Sequence, residues 1–242
     1  MSLRGNQNQD GGGEAGVSAT GIAAHELKSP LVLLRQLALE LAGDSLTDAE
    51  RRSIAEQMTL VSERALRLTS DLTRAESPQL HLFSLEPVNP LDITKDVRLE
   101  LQSLYKAQGR TLSVKRIHHL PPVIANRDLL RRILLNFADN ALHYTDIEGV
   151  VELQAQLINE RSVVRLSVRD YGPYIPMKQW RKLTQNLTDV KIVHQRPLSS
   201  GLGLYISNEF AKAMDGRIGA IRHQDGASFY VELPVSHQLA LL

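Results

Sequence analysis

The 242-residue sequence predicts an α+β chain, an antiparallel helical hairpin followed by an α/β sandwich in which a mixed sheet carries helices on one face. Three observations predict it. Up to about residue 78 the apolar residues recur at steps of three and four, the period of amphipathic helices. Beyond that point, alternating runs such as "VVELQAQLI" and "SVVRLSVRDY" take turns with helical stretches. Between the two parts, "ESPQ" carries a proline that disfavours helix at the residue before it.

Composition sets outer limits. The chain is 43% hydrophobic and 23% charged, ordinary for a globular protein. Lys+Arg 28 against Asp+Glu 27 gives a formal charge of +1, which argues against a dedicated nucleic-acid binder. Zero Cys excludes disulfides and thiolate metal sites, and nothing suggests secretion. No apolar run is long enough to span a bilayer, since "PLVLL" is soon followed by Arg35. Residues 1–16 are polar and Gly-rich without the apolar centre of a signal peptide, so they read as a flexible leader and are set apart from the fold.

Residues 17–78 form the hairpin. Small or apolar residues at 24, 27, 31, 34, 38 and 41 make one helical seam, and "GDSLTD" interrupts it with turn formers. Thr47 or Asp48 can cap the second helix, whose seam is Ile54, Met58, Val61, Ala65, Leu68 and Leu72. Each helix of roughly 25 residues is about 38 Å long. Leu33 and Leu37 widen the apolar face beyond what two helices cover, so a second copy is expected to complete a four-helix bundle.

Residues 79–242 form the second domain. "HLFSLEPV" reads as a short strand, Pro90 to Gln108 as a helix ended by Gly109, and "TLSVKRI" as a strand. "RDLLRRILLNFADNALHYT" is a strongly patterned helix that Asn126 can cap. Two strands follow, then the helix "GLGLYISNEFAKAMDG", then a closing hairpin of "RIGAIRH" and "ASFYVELP" around "QDG".

Several of these segments carry chemistry. Asn136 and Asn140 stand four apart and share a helix face, with His143 and Tyr144 near that face a turn later. Their amide oxygens are hard, neutral ligands suited to Mg²⁺, which keeps waters and nucleotide phosphates as its other ligands. Exposed Asn is also routine on amphipathic helices. In "VRDYGPYIP", Asp170 ends a strand before Gly172. A carboxylate there could accept from an exocyclic amine, or simply close the strand in a turn. "SSGLGLYIS" enters a helix through glycines, where backbone N–H groups and the helix end favour phosphate oxygens, although glycines also merely start helices. Between them, residues 177–200 are long, poorly patterned and basic. Beside a phosphate site that stretch makes a lid, and otherwise a solvated loop.

Taken in order, "HELKSPL", "NFADNALHYT", "DYGPYIP" and "GLGLYIS" resemble the H, N, G1 and G2 boxes of the sensor histidine kinases of two-component signalling. The resemblance covers roughly residues 17 to 235, and "LEPVNPLDITKDV" and "LPPVIANRDLLRRILLN" look like the usual approach to the N box. It implies a dimerisation and phosphotransfer hairpin joined to an ATP-binding domain of the GHKL, or Bergerat, type. It implies a homodimer that uses ATP and Mg²⁺ to phosphorylate His25 and passes the phosphoryl group to an aspartate of a response-regulator receiver domain. His25 lies just off the seam set by Leu27 and Leu31, so its imidazole is expected on the bundle flank, with Glu26 taking up or hydrogen-bonding the imidazole proton. Pro30 removes one helical hydrogen bond and loosens that turn.

By the same resemblance, Asn140 is the Mg²⁺-associated asparagine and Asn136 its helper, while His143 and Tyr144 approach the phosphates and nucleotide. Asp170 recognises the adenine amine with Gly172 and Ile175 beside it, and Gly201, Leu202, Gly203 and Leu204 frame the phosphates and the lid hinge. Ser228 matches a hydroxyl residue near adenine. Related ATPases place a water-activating glutamate where this chain has Asn136, which fits transfer rather than hydrolysis. Departures from the pattern are Tyr174 for a glycine of the G1 box, Ser199 for the first glycine before "SGLG", and His143 for Lys or Arg. "QWRKL" stands in for a Phe-rich lid box, and Ser29 occupies the position where phosphatase-active kinases carry Thr or Asn. The expected location is cytoplasmic, or the cytoplasmic part of a longer, membrane-bound sensor. A degenerate kinase acting as a dimeric scaffold, with weak or no ATP turnover, is the alternative.

Overall fold

The structure is a computed structural model and describes residues 19–43, 46–77, 79–115, 120–146, 148–158, 162–185 and 202–236. Two helices come first, α1 (Ala19–Leu41) and α2 (Asp48–Ala75). Thr47 caps α2 in a reciprocal box: its hydroxyl accepts from Glu50 N at 3.3 Å, and Glu50 Oε2 accepts from Thr47 N at 2.8 Å. Arg51 reaches back to the carbonyls of Leu41 (3.2 Å) and Gly43 (3.1 Å), acceptors that the end of α1 leaves without helical partners. These contacts close the turn and set the two helices side by side.

The seam between them differs from the sequence expectation. Leu37 and Ile54 are its buried residues, with Leu27, Pro30, Leu34 and Leu41 half-buried on α1. Leu31 and Ala38, expected in the seam, face outward, and Leu31 is 59% exposed. The step from 30 to 34 to 37 to 41 follows one side of the helix, and Leu31 and Ala38 fall on the neighbouring stripe. The far end of α2 also departs from a pure bundle role. Leu68, Leu72 and Ala75 pack into the same apolar cluster as the sheet that follows, so the core runs across the division expected near residue 78.

The remainder runs β1 (Glu86–Val88), α3 (Pro90–Ala107), β2 (Thr111–Val114), β3 (Val123–Ala125), α4 (Arg127–Tyr144), β4 (Val150–Ile158), β5 (Val163–Asp170), α5 (Met177–Gln185), α6 (Leu202–Lys212), β6 (Arg217–His223) and β7 (Gly226–Pro234). The main sheet has the order β2-β4-β5-β7-β6, with β2 parallel to β4 and every other pair antiparallel, while β1 and β3 form a separate antiparallel pair. This is the mixed sheet expected of the second domain. Of "HLFSLEPV" only Glu86–Val88 is strand, because Leu80–Leu82 takes a 3-10 turn. The basic stretch after the G1-like loop begins as helix α5 rather than loop, and its remainder, 186–200, lies outside the described residues.

Helix α4 explains itself residue by residue. Asn126 Oδ1 accepts from Leu129 N at 3.1 Å and starts the helix. Leu129, Leu130, Ile133, Leu134 and Phe137 are all fully buried, and the Phe137 ring lies 6.0 Å from that of Phe229 on β7. Burying each such side chain stabilises the fold by roughly 1.5–3 kcal/mol.

The two faces of the sheet are chemically opposite. Paired residues share a face, so Val168, Phe229, Leu166 and Val231 look toward the helices. Arg169, Ser228, Ser167, Tyr230, Arg165 and Glu232 therefore look the other way. On that outer face Glu232, only 3% exposed, is held between Arg165 (Nε at 2.9 Å) and Arg217, and Arg165 stacks 4.2 Å from the centre of the Tyr230 ring. Burial pushes the Glu232 carboxyl up, but the two guanidinium groups outweigh it and hold the group below the usual range. A depressed carboxylate adds stability that is present above its unfolded pKa and lost as pH falls through its folded one. The stability difference between wild type and Glu232→Gln should therefore shrink as pH drops from about 6 to about 3. Urea unfolding across that range measures it, and a constant difference would show that packing alone accounts for Glu232.

Candidate functional site

Three chain segments converge where the C-terminal half of α4, the end of β5 and the start of α6 meet. Asp170, the last residue of β5, is 4% exposed. Its Oδ1 accepts from Gly172 N (3.2 Å) and from Ala227 N (3.1 Å). Burial raises its pKa, and those backbone donors with the charge of Arg169 pull in the opposite direction. Gly172 is wedged between Asp170 and the Tyr144 carbonyl, and a Cβ there would strike that carbonyl. Gly226, at φ +116°, brings the β6–β7 turn so close that a Cβ would meet the Asp170 carboxylate. The carboxylate is thus aimed by backbone from two loops.

On the other side, Asn136 Nδ2 donates to Gly203 O and Ser207 Oγ, each at 3.4 Å, and Ser207 Oγ donates to Gly203 O at 2.8 Å. The amide nitrogen ties α4 to the first turn of α6, which leaves Oδ1 as the end a cation can use. Asn140 follows, half-buried, one turn later. Hard neutral oxygens beside a helix start fit a hydrated Mg²⁺ that brings phosphates with it. Among the described residues no group of three or more His, Asp or Glu could hold a metal alone. Leu202 turns into the core and Leu204 packs against it, so both can offer a ligand only backbone. Ile175 also packs against the core, and Tyr144 is half-buried at the end of α4.

Other sequence-selected residues fall differently. Ser228 shares the outer face with Arg169, where its hydroxyl is 2.8 Å from His223 Nε2, while Ala227 shares the face of Asp170. Ser228 therefore projects from the sheet face opposite to that of the Asp170 side chain. Tyr174 is 55% exposed, and its hydroxyl accepts from Arg222 Nη1 at 2.8 Å with that guanidinium 5.2 Å from the ring centre. Arg222 also donates to Ile175 O at 3.2 Å. The tyrosine is thus engaged by an arginine from β6. Ser29 is exposed on α1. The side chains of His25, Glu26 and His143, and residues Ser199 and Gly201, lie outside the described residues.

Sequence reasoning missed a charged seam between hairpin and sandwich. Arg67, Asp71 and Arg74 line one face of α2, opposite Asp139, Arg132 and Asp128 of α4. Arg67 contacts Asp139 at 3.3 Å and Glu100 of α3 at 3.8 Å, while Arg132 bridges Asp71 and Asp128. Asp71 is 1% exposed, and burial raises its pKa against the pull of Arg132. Asp139, one residue before Asn140, is likewise raised by burial despite Arg67 and Arg64. The signal was available: charges at 67, 71 and 74 repeat at helical spacing. Because α1 and α2 pack side by side in opposite directions, the docked end of α2 lies beside the start of α1, the end that carries His25.

A buried carboxylate aimed by backbone at a strand end, two asparagines on a facing helix and a helix start between layers form an arrangement suited to a nucleotide. Comparison with known proteins agrees. Residues 125–237 match the family model of histidine kinase-, DNA gyrase B- and HSP90-like ATPases. The adaptive-response sensory kinase SasA of Synechococcus is 26% identical over 216 residues, covering 88% of this chain and 55% of that protein. SasA of Synechocystis is 27% identical over 226 residues, covering 88% and 57%. The chain thus spans a little over half the length of these curated relatives. Full-length ShkA, solved in complex with AMPPNP, is 26% identical with a TM-score of 0.58, covering 93% of this chain and 46% of that one. The histidine kinase ThkA, solved with the response regulator protein TrrA, shares the fold at a TM-score of 0.58 and 19% identity, covering 90% and 61%. Over most of its length the chain is thus similar to sensor histidine kinases, and residues 125–237 carry the match to the ATPase family model. No helix among the described residues is long and apolar enough to cross a membrane.

Replacing Asp71 with Ala leaves Arg132 with Asp128 as its remaining partner in a partly buried seam. Losing a buried charged hydrogen-bond partner costs about 1–3 kcal/mol. Amide exchange should accelerate in both 67–75 and 128–139, and the urea midpoint should fall. Unchanged exchange on α4 would show that the pair does not hold the hairpin to the sandwich.

Proposed function

We propose that this chain is the core of an ATP-dependent protein histidine kinase that phosphorylates His25 and passes the phosphoryl group to an aspartate of a response-regulator receiver domain. The observation that carries the reading is the Asp170 carboxylate, buried and fixed by Gly172 and Ala227, with one oxygen left for an exocyclic amine. A base held there extends its phosphates between α4 and α6, toward Gly203 and the helix start. Asn140 and Asn136 would hold Mg²⁺, which supplies charge neutralisation on the phosphates. His143 and Tyr144 would border the nucleotide, with Ile175 against the base and Gly201 to Leu204 around the phosphates.

The neutral imidazole of His25 attacks the γ-phosphorus. An N–P bond forms as the bond to the β-phosphate oxygen breaks and ADP leaves, and Glu26 takes or hydrogen-bonds the proton from the other ring nitrogen. Solved neighbours with AMPPNP and with a response regulator support nucleotide and receiver as the two partners. A homodimer is part of the reading. Leu31, Val32 and Leu39 of α1 are 56–63% exposed, an apolar stripe that a second hairpin would cover in a four-helix bundle. The scaffold alternative is not favoured, because the similar proteins are histidine kinases.

Incubation with γ-labelled ATP and Mg²⁺ should give an acid-labile, base-stable label that His25→Gln abolishes without unfolding the protein. Label persisting in that variant would remove His25 from its role. Asp170→Asn should weaken ATP binding roughly 5- to 150-fold, the equivalent of about 1–3 kcal/mol for a buried donor facing a poorer acceptor. Equal affinity in Asp170→Asn and wild type would place the nucleotide elsewhere.

A further inference from the structure

Arg169 stands one residue before Asp170 and so projects from the opposite face of β5. An arginine on an outer strand face ordinarily extends into solvent. This side chain is only 8% exposed. Its Nη1 donates to the carbonyls of Asp170, Asp225 (3.3 Å) and Ala227 (3.4 Å), and its Nη2 pairs with Asp225 Oδ1. The Tyr171 ring covers it, with the guanidinium carbon 4.4 Å from the ring centre, and the Tyr171 hydroxyl donates to Glu152 at 2.8 Å. One planar fork therefore joins the end of β5 to the β6–β7 turn across the sheet.

That turn holds the donor on which the candidate site depends. Ala227 N fixes Asp170 Oδ1, and Gly226 packs against the same carboxylate. The position of the turn decides where the carboxylate points, and Arg169 decides the position of the turn. We propose that Arg169 is a positioning residue for base selectivity: it clamps the β6–β7 turn so that Asp170 presents a fixed acceptor to the 6-amino group of a purine. This rests on reading Asp170 as the base-recognition residue. An adenine amine donates to a fixed carboxylate, whereas guanine offers a carbonyl at the corresponding position and is repelled. With the clamp removed, the carboxylate rotates, the adenine bond weakens and discrimination falls. Lysine cannot substitute, because a point charge lacks the fork that reaches three carbonyls and a carboxylate at once.

Dissociation constants for ATP and GTP, read by Trp180 emission or calorimetry, test the proposal in wild type, Arg169→Met, Arg169→Lys, Asp225→Asn and Asp170→Asn. Arg169→Met should lose ATP affinity on the order of tenfold with GTP little changed, so the ATP:GTP preference falls by about the same factor. Arg169→Lys should behave like Arg169→Met. Asp225→Asn keeps the carbonyl contacts and should fall between. Combining Arg169→Met with Asp170→Asn should be no worse for ATP than Asp170→Asn alone, since one acts through the other. A lowered melting temperature with an unchanged ATP:GTP ratio would make Arg169 merely structural and overturn the proposal. If Arg169→Met does not fold, Asp225→Asn decides, and an unchanged ratio there overturns it equally. Asp170→Asn binding ATP like wild type would instead overturn the site reading itself.

Discussion

The arrangement of this chain depends on one buried helix. One side of α4 supplies Leu129, Ile133 and Phe137 to the core under the sheet, and its other side meets α2 through charge. Apolar packing alone would tolerate sliding of one helix past the other, because Leu68 and Leu72 fit several positions on a smooth surface. The charges do not tolerate it. A shift of one turn would set Asp71 against Asp128 or Arg67 against Arg132, and a like pair away from water is strongly unfavourable. The hydrophobic contact supplies attraction, and the ion pairs select the register.

The candidate site obeys a related constraint by other means. A carboxylate at 4% exposure must be compensated, and here the compensation comes from two backbone N–H groups and a neighbouring arginine rather than from a buried cation in the pocket. Backbone donors are rigid because strand and turn geometry places them. That is why glycines stand at 172 and 226, where any Cβ would collide with the groups being aimed. The left-handed backbone of Gly226 is a direct consequence.

Much of this was legible in the sequence. The caps at Asn126 and Thr47, helix α4, the strand ending at Asp170 and the helix entered at Leu202 all follow from period and punctuation. The face on which Ser228 stands is legible from period two as well. In "ASFYVELP" the apolar residues Phe229, Val231 and Leu233 turn inward, so Ser228, Tyr230 and Glu232 must turn outward. Helix α5 was read as loop because its nine residues carry three basic side chains and one large apolar anchor, Trp180. The docking of α2 was hidden for a different reason: an apolar seam says that a face is covered, never by what. Arg169 and Arg222 were unreadable as functional groups, since a charged residue on a strand ordinarily marks the solvent side.

The character of the hairpin–sandwich contact also bears on the proposed chemistry. A domain that delivers a phosphoryl group to His25 must approach the hairpin, and it must leave the flank open for a receiver afterward. A large, dry apolar interface would make the second step slow, whereas small, polar interdomain contacts open and close readily. The seam here is mixed. Asp71 is buried, but the side chains of Arg74, Asp128 and Glu100 are 32–42% exposed and rehydrate with little penalty. Asp71 with Arg132, at the middle of the row, is more buried, and its single partner geometry favours one register of α2 on α4. Arg67 extends that row to Asp139, the neighbour of Asn140, so the state of the docking contact reaches the edge of the candidate nucleotide site through a single residue.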